Sequence, residues 1–237
     1  MKKYAIALIA ITYMALSACS DIKYKEPLPH GVSGQGELPD ELLGKYEVFE
    51  DGRLHSLMYI IQVSKQQWAM QEQDCIRKSE VDGEKYLVRD DSLWHKSDDI
   101  WEFQQRCNLV GDLYELGGLE TTYTVDLKRR LFSVKDDESG PKKLEVRRKD
   151  GIYYFNVIDG DVSLYALEPA QKGLRLCYLS NLKVEGPELP FPVEQVLTTL
   201  SDGEIDTSYR ANPTNAELAR MRRDTSLYKF WDLVRVD

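Results

Sequence analysis

Two Asp-Gly pairs nine residues apart strongly limit what this chain can fold into. Asp150-Gly151 and Asp159-Gly160 separate short segments rich in β-branched and aromatic residues. Asp-Gly is a preferred pair for a two-residue hairpin turn, because both central residues of that turn take positive φ. The pattern therefore predicts three consecutive antiparallel strands, at about 143–149, 152–158 and 161–168.

Alternation of apolar and polar residues continues outside these hairpins. In the segment TTYTVDL, Tyr123, Val125 and Leu127 alternate with polar residues, which is typical of a strand with one face in water. The segment LFSVKDD follows after a short basic turn, and the closing segment 226–236 is also strand-like. A closing strand that pairs with an early one removes an exposed sheet edge. We therefore expect a mainly β fold, an antiparallel sheet built of hairpins that forms a barrel or a sandwich.

Two short helices are expected near the C-terminus. The segment 192–200 begins with a proline, which is common in the first turn of a helix. The segment 213–223 contains Thr214 and Glu217 at the spacing of a capping box. Arginines near the end of this segment match the negative end of a helix dipole.

The N-terminus has the layout of an export signal. Two lysines precede an uncharged run that is shorter than the roughly twenty residues needed to span a membrane. The run ends in Leu16-Ser17-Ala18-Cys19, which resembles the lipobox of bacterial lipoproteins. The resemblance implies that residues 1–18 are a signal peptide and that the Cys19 thiol carries acyl chains such as palmitate. An ordinary secretory signal cleaved before Ala18 is the alternative.

The same resemblance implies a place in the bacterial cell envelope. In enteric lipoproteins, aspartate directly after the acylated cysteine retains the protein at the inner membrane; here that position is Ser20, so the outer membrane is favoured. Residues 19–39, rich in proline and glycine, are expected to be the lipidated cysteine and a flexible tether. Residues 40–237 are then a β-rich soluble body of one large domain or two. The sequence LPDELLGKY, where the body begins, is loosely similar to uncharacterised lipoproteins of Bacteroidetes-type bacteria.

The charge balance argues against some partners. Lys2 and Lys3 lie in the signal peptide, so 29 of the 31 basic side chains remain against 40 acidic ones. Such a surface repels nucleic acid and anionic headgroups. We expect contact with the membrane through the lipid on Cys19, an envelope protein or glycan as a further partner, and no nucleic acid.

Three cysteines remain besides Cys19. Cys177 lies in the strand-like run GLRLCYL, where a free thiol packs as a small hydrophobic group. Cys75 and Cys107 lie in more polar surroundings, and an oxidising compartment favours disulfides. We therefore expect Cys75 and Cys107 to pair. The chain has no Cys-x-x-Cys motif, which argues against a redox or zinc role.

The segment SLWHKSDDIW groups aromatic and polar side chains. Trp94 and Trp101 would stack on sugar rings, and His95 lies close in sequence to two aspartates. A single histidine falls short of a metal-ligand pattern, so we expect no metal and no cofactor. Trp94, His95 and Trp101 are therefore a candidate ligand surface. The alternative is a polar loop whose tryptophans reach into the core.

Three classes of function remain open from the sequence. The first is a noncatalytic binding or interaction module. The second is a carrier of an apolar ligand, because Gly44-Lys45-Tyr46 resembles the Gly-x-Trp that opens the first strand of lipocalins, whose barrels enclose such ligands. The third is a glycan hydrolase that uses two carboxylates. No Ser-His-Asp order stands out, and three histidines leave little for acid–base chemistry. The first class is therefore preferred and an enzyme is disfavoured.

Replacement of the cysteine tests the lipoprotein interpretation. We expect Cys19→Ala to abolish incorporation of a fatty-acid probe during growth, because the thiol is the group that carries the lipid. The mutant should also keep its leader, whereas the parent should lose it. Ser17→Ala is the control and should leave labelling intact. Equal labelling of the parent and Cys19→Ala would overturn the interpretation.

Overall fold

The structure, a computed structural model, describes residues 20–117, 121–182, 189–199 and 205–236. The lipobox-like tetrapeptide at 16–19 lies outside the described residues. None of the helices in these ranges is long and apolar enough to cross a membrane.

The described part of the chain contains seventeen strands and one α-helix. The strands are β1 (Ser20–Tyr24), β2 (Gly44–Glu50), β3 (Arg53–Ser64), β4 (Gln67–Arg77), β5 (Tyr86–Arg89), β6 (Ser92–Ser97), β7 (Ile100–Val110), β8 (Leu113–Leu116), β9 (Thr121–Asp126), β10 (Leu131–Val134), β11 (Lys142–Lys149), β12 (Ile152–Asp159), β13 (Asp161–Ala170), β14 (Gly173–Leu182), β15 (Val193–Thr199), β16 (Ile205–Ala211) and β17 (Tyr228–Val236). The helix α1 spans Asn215–Arg223, and a 3-10 helix at Asp40–Leu42 precedes β2.

Ten of these strands close into an antiparallel barrel. Going around it, each strand pairs with the next in the order β2, β3, β4, β9, β10, β11, β12, β13, β14 and β17. The last strand, β17, also pairs with β2, the first barrel strand along the chain. This closure confirms the mainly β antiparallel fold and the predicted pairing of the closing strand, and it makes the sheet a barrel.

The predicted hairpin turns lie between barrel strands. Asp150 and Gly151 take φ values of 53° and 79° and join β11 to β12. Between β12 and β13 only Gly160 takes positive φ, at 71°, and Asp159 lies opposite Asp161. The second turn is thus tighter than the Asp-Gly pattern implies. The three strands that the two pairs predict are confirmed.

The strand directions define two ends of the barrel. At one end β2 begins, beside the 3-10 helix and the last residues of β17, and we call this the closed end. At the opposite end, the open end, β2 turns into β3, β10 into β11 and β12 into β13. The connection from β4 to β9 also leaves from the open end.

A smaller layer covers one side of the barrel. β15 and β16 form a hairpin, and β1 runs parallel to β16 and contacts the ends of β13 and β14. Helix α1 packs on the same side. Barrel, hairpin and helix share one apolar cluster that includes Ile22, Leu164, Leu179, Leu218 and Met221.

Of the two predicted helices, only the second is present in the described residues. In α1 the Thr214 side chain accepts from the Glu217 backbone N–H, and the Glu217 carboxylate accepts from the Thr214 backbone N–H, as the capping box predicts. The predicted helix at 192–200 is wrong, because residues 193–199 form β15. The β-branched Val193 and Val196 favour a strand, and pairing with β16 satisfies its backbone.

Residues 19–39 were predicted to be a flexible tether, and that prediction is wrong for the part that the structure describes. Ile22, Tyr24 and Leu28 are fully buried. The Asn156 side chain on β12 accepts from the Leu28 backbone nitrogen at 2.7 Å and donates to its carbonyl oxygen at 2.8 Å. Prolines and glycines indicated disorder, but the apolar residues between them bury enough surface to hold the chain on the barrel.

Strands β5 to β8 belong to an insert between β4 and β9, residues 78–116, with a small core of its own. Ile76 of β4 packs there against Leu93 and Leu116. The Glu115 carboxylate ties the insert to the outside of the barrel. It accepts from Lys45 Nζ at 2.7 Å and from the Tyr59 hydroxyl at 2.8 Å.

The predicted disulfide between Cys75 and Cys107 is not formed, since Cys75, Cys107 and Cys177 are all free thiols. β8 separates the strands that carry the first two, which lie opposite Glu115 and Leu116 respectively. Two strand spacings amount to about 9–10 Å, more than a disulfide spans between Cα atoms. Cys177 is fully buried, and burial raises the pKa of its thiol to about 12.

Removal of the Asn156 amide tests how firmly the N-terminal segment is held. Asn156→Ala leaves the buried N–H and carbonyl of Leu28 without partners, at a cost of about 1–3 kcal/mol each. We therefore expect urea denaturation to show a free energy of unfolding lower by about 2–4 kcal/mol. Asn108→Ala, at an exposed position on β7, should change it by less than about 0.5 kcal/mol. An equally small change in the free energy of unfolding for both variants would contradict the conclusion that Asn156 holds the N-terminal segment on the barrel.

Candidate functional site

The barrel encloses a cavity of about 300 Å³. Every barrel strand except β11 contributes to its wall, and most of the lining side chains are apolar or aromatic. The lining residues include Val48, Ile60, Phe155, Val157, Leu176 and Trp231. A mostly apolar space of this size is typical of small-molecule sites in proteins.

Strand alternation explains why this wall is apolar. Met58 and Ile60 of β3 line the cavity, whereas Tyr59 between them contacts the insert on the outside. Successive side chains of a strand point to opposite faces, and in a closed barrel the inner faces of all strands meet in one volume. Tyr123, one of the alternating apolar residues of TTYTVDL, is accordingly a wall residue.

The closed end is filled by apolar residues that precede and begin β2. Leu38 and Leu42 belong to the same buried cluster as Tyr46 and Trp68. The Tyr46 hydroxyl donates to the Leu42 carbonyl at 3.0 Å. The 3-10 helix is thereby fixed across this end of the barrel.

An arginine at the end of β17 holds this plug in place. The Arg235 guanidinium lies over the Tyr46 ring, 5.6 Å from its centroid, and donates to the carbonyls of Glu41 and Leu43. Gly44 has a φ of 151°, and a Cβ there would lie 3.1 Å from guanidinium nitrogens. Gly44 thus leaves room for the Arg235 guanidinium. Tyr46 supplies the ring over which that guanidinium lies and the hydroxyl that contacts the 3-10 helix.

At the open end the cavity continues into a polar vestibule of about 370 Å³. Tyr165 and Tyr178 line both spaces, and their rings stack with centroids 4.5 Å apart. The vestibule wall comes from the end of β10, the loop that follows it, and the turn between β12 and β13. A ligand that enters the cavity from this side would pass between polar and aromatic groups.

Two carboxylates of the vestibule wall are paired with basic residues. Lys142 Nζ lies 3.5 Å from an Asp159 carboxylate oxygen, and Arg210 contacts the Asp161 carboxylate at 2.7 Å. Lys23 Nζ donates to the Ser163 hydroxyl at 3.0 Å. Asp159 and Asp161 therefore serve as ion-pair partners of basic residues.

One carboxylate interrupts the apolar wall of the cavity. Glu72 Oε1, on β4, accepts from the Ser56 hydroxyl at 2.7 Å, and His55 Nε2 lies 3.8 Å from the same oxygen. Burial raises the pKa of Tyr123, and the negative charge of Glu72 raises it further. The carboxylate therefore acts on groups of the cavity wall.

The structure divides the three residues of the candidate ligand surface between two faces. Trp94 and Trp101 share one face of the β6–β7 hairpin with Phe103, and the Trp94 ring meets Phe103 edge-on at 5.7 Å between centroids. His95 points to the other face, against Tyr86 at 5.2 Å. The two aspartates that follow form the hairpin turn, both with positive φ. Only the tryptophans remain together as a surface.

Apart from Tyr123, the residues that line the cavity were not singled out from the sequence. Glu72 and Trp231 are both wall residues, yet each looks like an ordinary strand residue. The usable signal is alternation along the strand: Trp231 and Leu233, two residues apart in β17, both line the cavity, as do Met70 and Glu72 in β4. Alternation gives the two faces of a strand, but which face lines the cavity depends on how the barrel closes.

The described residues contain no group of three or more His, Cys, Asp or Glu side chains placed to hold a metal ion. Comparisons with protein-family models, curated protein sequences and solved structures give no match to this chain. The functional interpretation therefore rests on the geometry of the barrel and its cavity.

Proposed function

We propose that this protein is an envelope lipoprotein, anchored through lipid on Cys19, whose barrel is a noncatalytic binding module for an apolar ligand. The observation that carries the proposal is the apolar cavity, plugged at the closed end and continuous with a polar vestibule at the open end. The lipocalin-like Gly44-Lys45-Tyr46 also supports it, because in this barrel the motif stands beside the plug.

The energetics of the cavity favour binding of an apolar molecule. Removal of apolar surface from water contributes roughly 25 cal/mol per Å². The wall is built on strands that pair on both sides, so the site exists before the ligand arrives and little ordering cost accompanies binding. Aromatic side chains such as Phe155 and Trp231 add contact area at the wall.

The position of β1 supports a particular orientation at the membrane. Ser20 pairs with Leu182 and Tyr24 with Val162, and both partners lie near the open end of the barrel. A lipid on Cys19, one residue before Ser20, would therefore hold the open end close to the bilayer. Apolar molecules partition into the bilayer, so this orientation brings the vestibule to their reservoir.

Binding of a glycan or protein at the insert is a second candidate function. It is supported by the shared face of Trp94, Trp101 and Phe103, because aromatic rings stack on sugars and are enriched at protein interfaces. Phe103 keeps 52% of its surface exposed. This function would use the outer surface of the insert rather than the cavity.

Titration with the uncharged fluorescent probe N-phenyl-1-naphthylamine tests the cavity proposal. Residues 20–237 contain every described element and leave out the proposed lipid attachment at Cys19, so the titration uses this chain without detergent. We expect the parent to bind the probe and Val157→Trp to bind it at least tenfold more weakly, because the indole occupies part of a cavity of about 300 Å³. Val63→Trp adds the same side chain at a position with 57% exposure and should bind normally.

Two results would contradict the cavity proposal. One is a folded parent that does not bind the probe. The other is unchanged affinity in Val157→Trp together with loss of binding in Trp101→Ala, which would move the site to the insert. Circular dichroism of each variant shows whether the strand-dominated fold is retained.

A further inference from the structure

The cavity wall carries a single acidic side chain, Glu72, and no Lys or Arg among the described residues that line it. Its nearest basic group is His55, whose Nε2 lies 3.8 Å from Glu72 Oε1. That separation is longer than a hydrogen bond. The wall therefore presents a carboxylate whose basic neighbour, His55, stands at ion-pair distance and makes no hydrogen bond to it.

The hydrogen bonds of Glu72 leave most of its accepting capacity free. Among the described residues only Ser56 donates to this carboxylate, to Oε1 at 2.7 Å. Ser56 is itself fully buried, so this donor fixes the orientation of the carboxylate. An ionised carboxylate accepts at about four lone-pair sites, and the remaining sites are available to a ligand in the cavity.

We propose that the cavity selects apolar ligands that carry a basic nitrogen, and that Glu72 is the counter-charge of the protonated amine. This inference rests on the proposed ligand-binding function. An ammonium group supplies up to three donors to an acceptor-only carboxylate, and hydrogen bonds between charged groups are stronger than neutral ones. An anionic ligand of the same shape would meet like-charge repulsion at Glu72.

The charge of the whole chain acts in the same direction. The formal net charge is −9, and a negative potential raises the concentration of cations at a cleft and lowers that of anions. Of the vestibule residues, Lys142 is paired with Asp159, and Asp161 is paired with Arg210 of β16. Lys23, which donates to Ser163, is the group that would favour an anionic headgroup, and it lies in the vestibule and not in the cavity wall.

Three ligands with one twelve-carbon chain separate the effect of charge from that of apolar contact. Dodecylamine, 1-dodecanol and dodecanoate compete with N-phenyl-1-naphthylamine for residues 20–237. The two charged ligands are kept below their micellar concentrations and the alcohol below its solubility limit. We expect dodecylamine to displace the probe at a concentration at least tenfold lower than either of the others does. Equal or stronger displacement by 1-dodecanol or dodecanoate overturns the inference, and preference for dodecanoate would assign the headgroup to Lys23.

A charge-neutral variant locates the preference. Glu72→Gln should lower the affinity for dodecylamine by roughly tenfold, because a charge-assisted hydrogen bond is lost. The affinity for 1-dodecanol should stay unchanged. Glu102→Gln, at an exposed position on β7, changes the net charge equally and should keep the preference for the amine. Equal weakening of all three ligands by Glu72→Gln would contradict a role as counter-charge.

Failure of this inference and failure of the proposed function give different results. If the parent does not bind the uncharged probe, the carrier proposal itself fails. If the probe binds and the amine has no advantage, only the role of Glu72 fails. The comparison of ligands on the parent chain needs no variant, so it decides the inference even if Glu72→Gln is destabilised.

Discussion

Pairing of β17 with both β14 and β2 is the contact on which the rest of the structure depends. It joins the last strand of the chain to the first barrel strand and removes the exposed edges of the sheet. Closure turns the inner faces of ten strands toward one volume, which becomes the cavity. It also brings Arg235, at the end of β17, over Tyr46 and the 3-10 helix, so the same pairing that closes the sheet fixes the plug at one end.

Much of the fold could be predicted because its determinants are local. The turn at Asp150-Gly151 and the capping box of Thr214 and Glu217 are set by residues adjacent in sequence, and both are observed. The predictions that are wrong concern segments whose structure depends on contacts with residues distant in sequence. The 193–199 segment is a strand because β16 pairs with it, the N-terminal segment is ordered because Asn156 binds Leu28 more than a hundred residues away, and Cys75 is kept from Cys107 by the intervening β8.

The candidate site shows the same division between local and distant causes. Gly44 and Tyr46 could be noticed from their spacing, but their partner Arg235 comes from the other end of the chain. Glu72 is one of 40 acidic residues, and only closure of the barrel places it in an apolar wall. The proposed function joins these features: a plugged end, an apolar interior with one carboxylate, and an open end beside the strand that follows the proposed lipid attachment.

The central claim is that the interior of the barrel is the binding site. A crystal structure of residues 20–237 with bound N-phenyl-1-naphthylamine tests it most directly. The account predicts density for the aromatic rings inside the barrel, in contact with Phe155, Leu176 and Trp231, and a barrel still closed by β17. Density only on the outer face of the insert, beside Trp94 and Trp101, or a barrel interior filled by its own side chains would contradict it.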